Sequence, residues 1–184
     1  MKSIHHEKGA TLAISLMLLF VITLLGINSI RTTQLQEKMS HQSQDKIISF
    51  SASESASLYA ESLLGNLDTE PSVTTGCPNT LTKQGVSFCI SDYSNTLIPE
   101  LQDSAWWATN GQVHELLYPS AVASKNHVNE SPRFYIEYIR FVSDSLVIGK
   151  SVPSGMYYYR IFSRGNGVTN KSSTFIETTY RRRY

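Results

Sequence analysis

Residues 9–30 read Gly9-Ala10-Thr11-Leu12-Ala13-Ile14-Ser15-Leu16-Met17-Leu18-Leu19-Phe20-Val21-Ile22-Thr23-Leu24-Leu25-Gly26-Ile27-Asn28-Ser29-Ile30, and nothing between Lys8 and Arg31 is charged. As a helix rising about 1.5 Å per residue, this stretch is about 30 Å long, the thickness of the hydrocarbon layer of a bilayer. A removable secretory signal has an apolar core of roughly 7–15 residues and then a cleavage site of small residues. This run is longer and passes into helix-compatible sequence. On hydropathy alone it is an anchor that holds an external domain at a membrane. The flanks sharpen that reading. Upstream, Met1-Lys2-Ser3-Ile4-His5-His6-Glu7-Lys8 is short and mildly basic, which favours a cytoplasmic amino terminus.

Downstream, no proline interrupts the chain until Pro71, so one helix is expected from about Thr11 to about Leu67. Its middle, Ser40-His41-Gln42-Ser43-Gln44-Asp45-Lys46, is polar on every side and is expected to project without a core to face. Beyond it, Ala52, Ala56, Tyr59, Ala60, Leu63, Leu64 and Leu67 recur at three- and four-residue steps on one stripe, with Glu54, Ser57 and Glu61 off it. That half must dock on something apolar.

Residues 68–85 are rich in Thr, Pro, Gly and Asn and read as a surface loop. Val86–Ile90 has the composition of a short strand, and residues 91–131 read as largely irregular with a helical turn around Ser104–Trp107. The pair Trp106-Trp107 is read as core packing rather than a stacking platform. The carboxyl third is β: residues 133–142, 157–164 and 174–180 read as strands. Gly165-Asn166-Gly167 is expected to turn the last two into a hairpin. Arg181-Arg182-Arg183 reads as a solvated basic end past the last strand.

Composition bounds the function. The 184 residues leave room for one domain besides the anchor. Setting aside Lys2, Lys8 and Glu7, the chain from Arg31 onward carries 14 basic and 14 acidic residues, which argues against a strongly basic nucleic-acid surface. The two cysteines, Cys77 and Cys89, have 11 residues between them. Outside the membrane they are expected to form a disulfide, stabilising by roughly 3 kcal/mol in the chain-entropy model. Zinc-ligand spacing, a nucleophile elbow and a phosphate-binding glycine loop are all missing, so neither an enzyme, a cofactor nor a metal site is expected.

Three stretches carry a resemblance. Lys8-Gly9-Ala10-Thr11-Leu12 entering the apolar run is similar to the processing site of type IV prepilins. Residues 24–39 (Leu-Leu-Gly, Arg-Thr-Thr, Leu-Gln-Glu-Lys-Met) and then Phe50-Ser51-Ala52-Ser53-Glu54-Ser55-Ala56 resemble the amino-terminal region of PilX-type minor pilins. A strand reaching Arg164-Gly165-Asn166-Gly167, followed by one ending in Thr179-Tyr180-Arg181, resembles the end of the same family. The resemblance implies an α+β, pilin-like fold: a long amino-terminal α-helix and a carboxyl-terminal domain containing a small antiparallel β-sheet. It implies a leader at 1–9, a membrane or filament-core helix at 10–30, its continuation at 31–67 and a globular domain at 68–184. It also implies cleavage between Gly9 and Ala10 by a prepilin peptidase, with methylation of Ala10. Most pilins carry glutamate at the fifth mature position. Here that position is Ile14, which the resemblance associates with first-assembled, tip-located subunits. The expected function is therefore a minor pilin in a tip or priming complex, held first in the inner membrane with its domain in the periplasm and then at the pilus tip. The expected partners are other minor pilins, the major pilin, the inner-membrane assembly machinery and a tip adhesin. The alternatives are a minor pseudopilin of type II secretion and a DNA-uptake minor pilin, the latter requiring a basic stripe.

Overall fold

The computed structural model describes residues 8–71, 73, 81–83, 86–93, 98–114, 128–144, 154–169 and 171–184. A single helix, α1, runs Lys8–Gly65. The chain divides into two compact units between Ser43 and Gln44. In the first unit, α1 is the only described element. Its apolar side chains have no neighbours to cover them: Leu12, Met17 and Leu25 are 71%, 72% and 64% exposed.

In the second unit, the rest of α1 lies on a five-stranded sheet. Seven strands are present among the described residues: β1 (Leu81–Lys83), β2 (Val86–Phe88), β3 (Ile90–Asp92), β4 (Gln112–Val113), β5 (Arg133–Ser143), β6 (Gly155–Asn166) and β7 (Ser173–Arg182). β1 and β2 form a separate antiparallel pair, and the main sheet runs β3-β5-β6-β7 with β4 also on β5. The fold is α+β, as the resemblance implied, but the sheet is mixed, because β3 pairs in parallel with β5. The stretch expected as one strand, Val86–Ile90, breaks at Cys89 and serves both sheets.

The period-two alternation of β5 and β6 sends Phe134, Ile136, Tyr159 and Ile161 towards α1, where they meet Ala56, Ala60, Leu63, Leu64 and Leu67. This core is buried to 5% exposure or less. The opposite face carries Tyr135 and Phe162, packed with Trp107 of a short helix α2 (Ser104–Asn110). Asp103 caps α2 by accepting from the Trp106 amide at 2.8 Å, and the Trp107 indole donates to the Pro99 carbonyl at 3.0 Å. Trp107 is wholly buried, with Trp106 edge-on to it, so the tryptophan pair does pack into the domain.

The helix ends close to where it was expected, and two expectations about segment ends are corrected. α1 stops at Gly65, and the Leu64 carbonyl takes a hydrogen bond from the Arg182 guanidinium. Arg181 and Arg182 thus belong to β7, Arg182 caps the helix, and Arg183 pairs with Asp144 at 3.0 Å. Gly165 and Asn166 are the last residues of β6, opposite Thr174 and Ser173, so β6 and β7 are a hairpin whose turn comes later. The helical turn expected around Ser104–Trp107 is α2, while the 3-10 turn at Pro99–Leu101 and β4 stand where irregular chain was expected.

Candidate assembly helix and its docking seam

The amino-terminal half of α1 presents an exposed apolar surface. Thr11 begins a span with a mean hydropathy of 2.3 in its most apolar window, none of it buried. Two of its hydroxyls are satisfied within the helix: Ser15 donates to the Leu12 carbonyl and Thr23 to the Phe20 carbonyl, at 2.9 and 2.8 Å. In hydrocarbon an unpaired hydroxyl is costly, and these bonds remove that cost. Thr32 and Thr33 do the same towards Asn28 and Ser29. Such a helix is compatible with a membrane anchor, and its apolar surface is equally suited to other helices of its kind. Gly9 and Ala10 lie in its first turn, and Ile14 is 62% exposed.

Docking of the second half begins earlier than its sequence suggested. Asp45 falls in the segment expected to lack a core, yet it is 8% exposed. One of its oxygens accepts from the Thr169 amide at 3.0 Å and the other from the Thr169 hydroxyl at 2.5 Å. Those bonds hold its carboxyl below the ordinary carboxylate value, the Thr169 hydroxyl contributing most. Lys46 reaches the Ser173 carbonyl at 3.3 Å.

From Asp45 to Ser57 the seam is built of small and hydroxylated residues. Ser49 meets the Thr174 hydroxyl at 2.7 Å, Ser53 the Ser163 hydroxyl at 3.0 Å, and Ser57 the Thr178 hydroxyl at 3.1 Å. Ser57, expected off the buried stripe, is 4% exposed. The close approach depends on glycine. A Cβ on Gly165 would overlap the Ser49 carbonyl oxygen and the Ser53 amide nitrogen, and one on Gly167 would overlap the Asp45 carboxylate. The glycines that read as a turn are therefore the groove in which α1 lies.

Two titratable groups are buried beside the core. Glu137 is fully buried and takes two hydrogen bonds from Arg160, at 3.1 and 2.6 Å, through one oxygen only. Burial pushes its carboxyl up, and the Arg160 bonds oppose that. The Arg160 guanidinium lies over the Tyr93 and Phe162 rings and reaches Glu177 at 3.7 Å. His114 stacks on Tyr59 of α1 at 4.3 Å, and burial lowers its pKa. Among the described residues, no group of three or more His, Cys, Asp or Glu is placed to hold a metal.

Of the cysteines, Cys89 is 4% exposed and Gln112 donates to its Sγ at 3.1 Å, while Cys77 lies outside the described residues. The seam residues Ser49, Ser53, Ser57 and Asp45 were not found from sequence because serine and aspartate read as solvent-facing. Their only signal was the run of small residues at helical spacing opposite a Gly-x-Gly.

No curated protein and no solved structure matches the chain. Two family models do, and together they span nearly all of it. "PilX N-terminal" matches residues 8–57, the apolar helix and the start of the seam, and "Type IV pilus assembly protein PilX C-term" matches residues 61–182, the end of α1 and the sheet. With a long exposed apolar helix leading into an α+β domain, the chain belongs to the PilX family of type IV pilus assembly proteins.

Proposed function

We propose that the chain is a minor pilin acting in a complex that primes type IV pilus assembly and remains at the tip. The observation that carries this reading is the wholly exposed apolar helix with Ile14 where a carboxylate would serve a repeating subunit. A carboxylate inside a bundle of helices needs a partner charge to offset its burial. Ile14 needs none, so the subunit suits an early position with no amine ahead of it to meet.

In this reading, residues 1–9 are a leader removed by the prepilin peptidase after Gly9, with Ala10 methylated. Residues 10–30 anchor the chain in the inner membrane with its domain in the periplasm, 31–67 lead out of the membrane, and 68–184 form the pilin domain. Helices of other minor pilins and of the major pilin replace lipid around the apolar run, and the assembly machinery extends the primed complex. A disulfide between Cys77 and Cys89 fits an oxidising compartment.

The test is a deletion strain and an antibody against the domain. Few or no pili, restored by the wild-type gene and not improved by an Ile14→Glu version, is the expected result. Normal pilus number in the deletion refutes the priming role. Label spread evenly along the shaft refutes the tip position.

A further inference from the structure

The sheet face turned away from α1 and the end of β7 gather arginines, and most are committed. Arg160 is held by Glu137 and Glu177. Arg133 donates to the Ala108 and Gly111 carbonyls, and Arg164 to the Ser104 hydroxyl. At the end of β7, Arg182 and Arg183 are taken by Leu64 and Asp144. Two remain. Arg140 and Arg181 are exposed, and among the described residues neither has a hydrogen bond or an acidic partner.

These two lie in one row across the sheet. Arg140 is opposite Tyr158 on β6, and Tyr158 is opposite Arg181 on β7, so all three side chains leave the same face. The row exists because β5 carries a bulge between Tyr138 and Arg140. Tyr138 and Phe141 both pack on Tyr157 on the α1 side. Strict alternation would put residue 140 on that side with Tyr138, and the extra residue Ile139 turns Arg140 outward. Bulges that re-aim a side chain in this way recur at sheet edges and next to active sites. Two strand spacings separate the arginines by about 10 Å.

We propose that the Arg140–Tyr158–Arg181 row docks an acidic segment of a partner protein, one that presents two carboxylates about 10 Å apart. Charge complementarity favours a protein over a nucleic acid. The row offers only two positive charges, and the chain from Arg31 onward carries 14 basic and 14 acidic residues, too little positive charge to track a polyanion. The Arg140 guanidinium already lies over the Tyr158 ring, 5.7 Å from its centroid, where a stacked base would need to sit. The inference adds a partner surface to the assembly reading and rests on it only in taking other proteins as the chain's partners.

The experiment places p-benzoylphenylalanine at Thr179, exposed on the same face two residues from Arg181, in the full-length chain in its own cells. Irradiation is expected to yield a protein adduct whose crosslinked peptide carries two acidic residues. Adding R140E and R181E should lower its yield about tenfold, as should the milder R140Q and R181Q, because two charge-assisted contacts are lost. Neither exposed arginine holds the fold, so the melting temperature should not change. Where the glutamate pair unfolds the domain, the glutamine pair is read instead. The proposal is overturned by absence of an adduct, a nucleic-acid adduct, an acid-free peptide, or a yield indifferent to both pairs. Pilus number in the deletion strain is measured separately, so failure here leaves the priming role standing or falling on its own result.

Discussion

Replacing Gly165 by alanine tests whether this glycine is a turn residue or the floor of the helix groove. The added methyl carbon would overlap the Ser49 carbonyl oxygen and the Ser53 amide nitrogen, and would lie 3.0 Å from the Ala52 carbonyl carbon. All three are backbone atoms, so no side-chain rotation relieves the clash. The helix must retreat by about 1 Å to recover ordinary contact distances. That retreat stretches the Ser53–Ser163 and Ser49–Thr174 hydrogen bonds, now 3.0 and 2.7 Å. Overpacking costs roughly 1–3 kcal/mol and each weakened bond up to about 1 kcal/mol, giving a loss of about 3 kcal/mol. For a domain of this size, that lowers the melting temperature by about 10 °C. Circular dichroism melts of the full-length chain in detergent, beside Ser53→Ala as a control that loses only the hydrogen bonds, give the readout. Ser53→Ala should cost about a third as much. A Gly165→Ala melt within about 1 °C of wild type would refute the groove, since a turn glycine without strain accepts alanine freely.

Mass spectrometry of chain extracted from membranes should find Ala10 as the methylated first residue, and an intact Met1 in cells with active peptidase contradicts it. Without reductant, Cys77 and Cys89 of exported, folded protein should resist alkylation. Full labelling of both disproves the disulfide. Between its lowered native pKa and the ordinary 6.5, His114 is neutral when folded and protonated when unfolded, so stability should rise with pH across that window by up to about 1.4 kcal/mol per unit. Glu137, raised above 4.5, contributes the opposite slope. Comparison with His114→Phe, which keeps the ring on Tyr59, isolates the histidine, and identical pH profiles of the two proteins would rule it out.

The apolar run, the α1 stripe from Ala52 to Leu67 and the three long strands were legible because composition and, for the stripe, spacing are local properties of the chain. The site was harder to read. Asp45, Ser49, Ser53 and Ser57 are residue types that usually face water, and only partners more than a hundred residues away, Thr169, Ser163, Thr174 and Thr178, make their burial tolerable.

By itself, the sequence determined that an uncharged helix of membrane length leads into a small α+β domain, since a continuous apolar run and a 3.6- or 2-residue period admit few alternatives. Tertiary structure alone decided where the helix meets the sheet, what Gly165 and Gly167 are for, and which arginines stay free. Those outcomes depend on register. A bulge at Ile139 reverses the face of Arg140, and the pairing of β6 with β7 places Arg182 at the end of α1 while leaving Arg181 in solvent. Register is set by contacts between segments far apart in the chain, which no local pattern records.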